Sequence, residues 1–439
     1  MNIGLFFICI PILFIYPILY PPLACFTAIL FIKNNRLNYI SLFLIFSSAI
    51  VSSLISATII PVADTAIYID SFQEINLFNF NQLQLNNKGF EPLYKIYEYI
   101  LSLFIDDNEK LFLLITALII NILSTIAILR ICLRLDQAKL VCMIFTVYYS
   151  LVAPALGITL FLLRTSLSIS FLILGISYYR QKHLLFYLFG LIAIFIHFYS
   201  LLLFSLFIVQ SILPSLNKII EKIGYKKLID FSKLFILRFS LTILIIGFFT
   251  VILSPDLLLS NLRGFLEVFN DSGGLAADKA QSFLDEKGAS FINFSNPVFL
   301  VHFLLSLLCF IKLRDDLLIR AELDKIDNRI LLNFLESLRL IGRMLMIIII
   351  VTAPFNFLPY RLGFFNFLYF PLWIINVPYI SIQLGIKKYS KYLILLSLVS
   401  VLAYTFYWMP KRQDNNYHIV VLENKVLDYN LAQVISFFL

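Results

Sequence analysis

PVADTAIYIDSFQEINLFNFNQLQLNNKGFEPLYKIYEYILSLFIDDNEK, residues 61–110, is the first long polar interval in a chain dominated by apolar runs. It holds eight acids (Asp64, Asp70, Glu74, Glu91, Glu98, Asp106, Asp107 and Glu109) against three lysines and no arginine. Two compact clusters stand inside it, Asp64-Thr65-Ala66-Ile67-Tyr68 and Gly89-Phe90-Glu91-Pro92-Leu93-Tyr94. Apolar runs long enough to cross a bilayer flank it on both sides. Cytoplasmic loops of membrane proteins favour Lys and Arg, so an acidic, Asn-rich interval is expected outside. Polar residues packed between hydrophobic spans are where a membrane enzyme would handle a polar substrate.

Composition agrees with that class. Of 439 residues, 61% are hydrophobic and only 14% charged, with a mean hydropathy of +0.92. A soluble domain is about a quarter charged and half apolar, so an all-α, polytopic membrane protein is expected. The net charge of +8 fits cytoplasmic loops lying against anionic lipid and does not call for nucleic acid. Cys9, Cys25, Cys132, Cys142 and Cys309 lie in or beside apolar runs without CxxC spacing. They read as small core residues, with no disulfide framework and no zinc site.

Working outward, a span needs about 20 apolar residues. Gly4–Ile32 reads as the first, bent by its prolines, and Leu37–Ile60 as the second, returning outward to the acidic interval. Leu111–Leu129 runs inward to Arg130, Arg134 and Lys139. A fourth span from Leu140 leads to Arg164, where a fifth begins and ends at Tyr179. As one span, Leu184–Leu213 would put five lysines of 214–233 outside, against the positive-inside rule. A break near His197, making a short hairpin, keeps 214–233 cytoplasmic as an amphipathic basic helix. A second external loop, 254–296, carries six acids against three bases. The remaining runs bring the total to about 11–12 transmembrane helices in a single membrane domain, 1–439.

Few residues carry chemistry. An arginine in the hydrocarbon centre costs about 2.5–3.5 kcal/mol on insertion scales, so it faces a cavity or a partner. Arg164 and Arg361 both stand at outer ends of spans. Each either snorkels or pairs with an acid such as Glu91, or clamps an anion with its fork of donors. Together they would suit a pyrophosphate. His197, in Ile194-Phe195-Ile196-His197-Phe198-Tyr199-Ser200, is either a hydrogen-bonded structural residue or a functional one. No phosphate loop, Asp-x-Asp pair or HExxH is present, which argues against nucleotide-driven or metal-dependent chemistry.

These pieces resemble a known family. Asp64-Thr65-x-x-Tyr68 followed by Gly89-Phe90-Glu91-Pro92-Leu93-Tyr94 is similar to the opening signature of the EpsG-like, Wzy-type polysaccharide polymerases. Leu163-Arg164-Thr165-Ser166-Leu167 resembles their Arg-Gln-x-x-Ala helix start, and Ala193 to Ser200 their Ala-x-x-x-His-x-Ser segment. Tyr360-Arg361-Leu362-Gly363-Phe364-Phe365 resembles their late Arg-Ile-x-x-Tyr-Phe. The chain departs from the pattern upstream of Asp64, where Thr58–Ala63 replaces Arg-Tyr-x-x-Gly, and at Thr165, which stands where Gln is usual.

The resemblance implies a GT-C-like membrane glycosyltransferase in the bacterial cytoplasmic membrane. It would join oligosaccharide repeat units, carried on undecaprenyl pyrophosphate, at the outer face and without a cofactor or metal. O-antigen, capsule and exopolysaccharide are all open as the product. Beyond the lipid-linked substrate and membrane lipids, partners would be a Wzz-type chain-length regulator and a Wzx-type flippase. Asp64, Glu91 and His197 are the candidate catalytic residues, with Asp64 as base and Glu91 as the partner of Arg164. Arg164, Arg361, Tyr68 and Tyr360 are expected to bind substrate. A lipid-linked-oligosaccharide flippase, or a glycosyltransferase using a lipid-monophosphate donor, would share much of this polar architecture.

Overall fold

The computed structural model describes residues 2–32, 37–58, 64–75, 91–134, 138–144, 163–179, 181–198, parts of 200–208, 389–403 and 429–438. All regular structure among them is helical, with no strand. Outside the described residues lie the basic segment 214–233, the loop 254–296, Tyr360, Arg361 and most of the later spans. The chain divides into two compact units, Met1–Ser205 with Val401–Leu439, and Leu206–Ser400.

In the first unit the expected opening span is two helices, α1 (Asn2–Ile15) and α2 (Tyr20–Phe31). Pro17 has no N–H to continue α1, whereas Pro21 occupies the first turn of α2, where no donor is required. Helix α3 (Tyr39–Ser56) starts at Asn38, whose side chain accepts from the Ser41 N–H at 2.8 Å. Helix α6 (Glu109–Arg134) is the longest of the described helices. By length and composition α3 and α6 are the two described helices able to cross a membrane.

Small polar residues fasten these helices together. Ser48 Oγ donates to the Pro21 carbonyl at 3.1 Å, and Asn121 Nδ2 donates to Ser53 Oγ at 2.8 Å. Small side chains let backbones approach, and hydroxyls supply the interhelical bonds that lipid cannot. Cys9, Cys25, Cys132 and Cys142 are buried and unbridged.

The interval read as a polar loop folds into two further helices, α4 (Asp64–Ile75) and α5 (Pro92–Ile105). They pack against each other and against the start of α6. The core beneath them joins Ala57 to Tyr68, Phe72, Tyr94, Phe112, Leu163 and Ile196. Phe72 stacks on Phe112 with ring centroids 4.3 Å apart. A short C-terminal helix, α11 (Leu431–Ser436), adds Val434 and Phe438 to the same core. Between these lie α7 (Ala138–Ile144), α8 (Leu163–Tyr178) and α9 (His183–Ile196); α10 (Ser390–Ala403) runs across the division between the units.

The hairpin read at His197 is present. Helix α9 stops at Ile196, and His197 turns extended at φ −153°, ψ 117°. The chain then folds back, so that Phe204, seven residues after the turn, packs on Phe186 with centroids 5.2 Å apart. Gly190, seven residues before it, permits this close approach. A β-carbon there would stand 2.0 Å from the Phe204 ring. Gly190→Ala should therefore lower the thermal midpoint of the purified protein, with a cost of about 1–3 kcal/mol from overpacking. An unchanged midpoint would mean that the Phe204 ring moves aside freely.

Candidate functional site

Glu91 stands at the N-cap of α5, directly before Pro92, yet its side chain makes no capping hydrogen bond. It turns away from its own helix. One carboxylate oxygen, Oε2, accepts from Arg164 Nη1 in a salt bridge. The other, Oε1, meets His197 Nδ1 at 2.5 Å. Three segments distant in sequence thus converge on a single carboxylate.

Each element contributes for a local reason. Arg164 lies in the first turn of α8, where the helix macrodipole disfavours a cation and favours an anion. An acid beside it relieves that conflict. His197 reaches the carboxylate because α9 ends one residue earlier. Its N–H still bonds to the Ala193 carbonyl at 2.9 Å, so the turn is fixed rather than frayed. Ser168 Oγ, which lies 2.5 Å from Ser200 Oγ and donates to Ala193 at 2.6 Å, ties α8 to both arms of the hairpin.

Two tyrosines wall the arginine. The guanidinium carbon lies 4.9 Å from the Tyr68 ring and 5.7 Å from the Tyr94 ring, within cation–π range. The rings themselves sit 5.9 Å apart, edge to face. Arg164 Nε is sealed from solvent without a hydrogen-bond partner among the described residues. The side chain as a whole stays 23% exposed.

Electrostatics follow from the geometry. Burial pushes the Glu91 carboxyl up, but His197, Arg164 and the Phe198 backbone together outweigh it and hold it below the ordinary carboxylate value. Glu91 is therefore an anion at neutral pH and a poor proton acceptor. An anionic carboxylate only accepts hydrogen bonds, so His197 Nδ1 carries the proton it shares with Glu91 and Nε2 faces away from that bond. That is the chemistry of an oriented imidazole base.

Of the residues singled out by sequence, the structure gathers Glu91, Arg164, His197 and Tyr68. Asp64 opens α4 one turn before Tyr68, but its side chain lies outside the described residues, as do Tyr360 and Arg361. Tyr94 was not singled out. Its signal was its place three residues after Glu91, on a helix that Pro92 starts. No cluster of three or more metal-ligating side chains occurs among the described residues.

Apolar helices tied by buried hydroxyls, with an acid, an arginine and a histidine converging at one end, define a membrane protein with a built polar site. The chain belongs to the EpsG family, whose sequence profile matches residues 42–430, and so to the membrane proteins of polysaccharide biosynthesis. No curated protein and no solved structure matches it.

Proposed function

We propose that this chain is a Wzy-type polymerase of undecaprenyl-pyrophosphate-linked oligosaccharide repeats. It would be a multi-pass protein of the bacterial cytoplasmic membrane with its site open to the exterior and a GT-C-like arrangement of about 11–12 spans. The observation that carries the reading is Glu91 held between Arg164 and His197. It puts an anion-binding cation and an oriented imidazole within one side chain of each other. Transfer of a glycosyl group from a pyrophosphate to a hydroxyl uses a cation at the leaving group and a base at the acceptor.

The reaction breaks the bond between the anomeric carbon of the growing chain and its pyrophosphate oxygen, and forms a glycosidic bond to the acceptor hydroxyl. The proton leaves with His197 Nε2, oriented through Nδ1 by Glu91. Negative charge grows on the departing pyrophosphate. Arg164, walled by Tyr68 and Tyr94, receives it. Arg361 and Tyr360 would complete the clamp, and Asp64 would position the acceptor. The role of base moves here from Asp64 to His197, because geometry places the imidazole against an anionic carboxylate.

Loss of the gene should leave single lipid-linked repeats on the outer face of the membrane. Their accumulation on the inner face would point to a flippase instead. For the purified protein, Arg164→Lys keeps the charge but loses the planar fork that holds Glu91 and phosphate together. It should shorten the polymer and slow its synthesis while protein level holds. Full-length polymer from this variant would overturn the clamp.

A further inference from the structure

The buried stripe of α5 consists of Tyr94, Glu98 and Ser102, spaced four residues apart. The same helix exposes Ile100, Leu103 and Phe104. A buried carboxylate is costly unless partners compensate it. Glu98 is fully buried. Its Oε2 accepts from Lys95 Nζ at 2.9 Å and from Ser71 Oγ at 3.1 Å. Lys95 also donates to Ser71, closing a three-membered polar cluster across α4 and α5.

The registers of the two helices make this cluster informative. Ser71 lies one turn after Tyr68 on α4, and Glu98 one turn after Tyr94 on α5. The cluster therefore joins the two helices one turn beyond the tyrosines that wall Arg164. Tyr94 Oη leans toward the Glu98 carboxylate without closing a full hydrogen bond, and both Tyr94 Oη and Glu98 Oε1 are sealed from solvent. Leaving such atoms incompletely paired is costly, a cost retained where a group has work to do. Burial raises the Glu98 carboxyl above the usual range, against the pull of Lys95.

We propose that Ser71, Lys95 and Glu98 form an interhelical clamp, with Glu98 as a positioning residue that sets α4 against α5. The clamp fixes Tyr68 and the α4 N-terminus, where Asp64 stands, relative to Glu91 and Arg164. Glu98 touches neither substrate nor reacting atoms. The inference rests on the polymerase reading only for its effect on turnover; the clamp itself is a matter of helix geometry.

The test separates the two. Spin labels at the exposed positions Gln73 on α4 and Leu103 on α5 report the interhelical distance in protein reconstituted into lipid nanodiscs. In the unaltered site the distribution should be narrow. Glu98→Ala should broaden it, and Glu98→Gln, which keeps an acceptor for Ser71, should restore it. The same Glu98→Ala substitution without labels should lower kcat by about 100-fold, the cost of a misplacement of about 1 Å. KM for the lipid-linked repeat should barely move, and Glu98→Gln should recover most of the loss. An unchanged distance distribution in well-folded Glu98→Ala overturns the clamp. A broadened distribution with unchanged kcat overturns the positioning role. Inability of the unaltered protein to polymerise lipid-linked repeats, with the distances responding as expected, overturns the polymerase reading and leaves the clamp standing.

Discussion

Glu91→Gln should slow polymer synthesis sharply and lower stability together. The amide keeps the size of the side chain but removes the anion that satisfies two partners at once. Arg164 would be left in the first turn of α8 with the helix dipole against it and no counter-charge. His197 would lose the acceptor that sets its tautomer. Breaking a buried ion pair from one side costs about 3–5 kcal/mol. With Arg164 partly exposed, the lower end of that range is expected, measured as a drop in unfolding free energy. Arg164→Gln made together with Glu91→Gln should recover part of it, because no charge is then stranded.

The sign of the pH dependence is also set. The Glu91 carboxyl is held below its ordinary value of 4.5 by its partners in the folded protein. Its contribution to stability is complete above about pH 4.5 and is lost as pH falls through the lower, folded value. Thermal midpoints of wild type and Glu91→Gln should therefore converge on acidification below pH 4.5. A gap that stays constant down to pH 3 would mean that the carboxylate charge is not what holds the site together.

The second large effect belongs to the base. His197→Gln should keep binding of lipid-linked substrate and lose turnover by about 10²–10⁴-fold, the usual contribution of general-base catalysis. Asp64→Asn, measured in parallel, should fall by much less, as expected of a group that orients the acceptor. A dead Asp64→Asn beside a nearly normal His197→Gln would return the role of base to Asp64.

How much of this could be read from the sequence depends on the length scale of the interaction. Spans α3 and α6 follow from apolar run length alone. The break at His197 followed from charge bookkeeping on the lysines of 214–233, and the hairpin through Phe204 and Gly190 has that same turn. Helix α5 escaped notice because amphipathic reading assumes that apolar residues point inward. In α5, Tyr94, Glu98 and Ser102 are buried while Leu103 and Phe104 are exposed. Pairing of Glu91 with Arg164 could be raised as an alternative, since arginine at a helix start asks for an anion. The bond from Glu91 to His197 spans 106 residues of sequence and has no local signature. Nor does the Ser71–Glu98 contact between the two helices.

The account stands on Glu91 and His197 acting as one unit, and a double-mutant cycle on polymerisation measures that directly. Initial rates with purified Glu91→Gln, His197→Gln and the double variant, on the same lipid-linked repeat, give the coupling. Residues that act as a unit are grossly non-additive. The double variant should therefore be no slower than the slower single variant. Multiplication of the two single losses in the double variant would show that carboxylate and imidazole work independently, and would contradict the site described here.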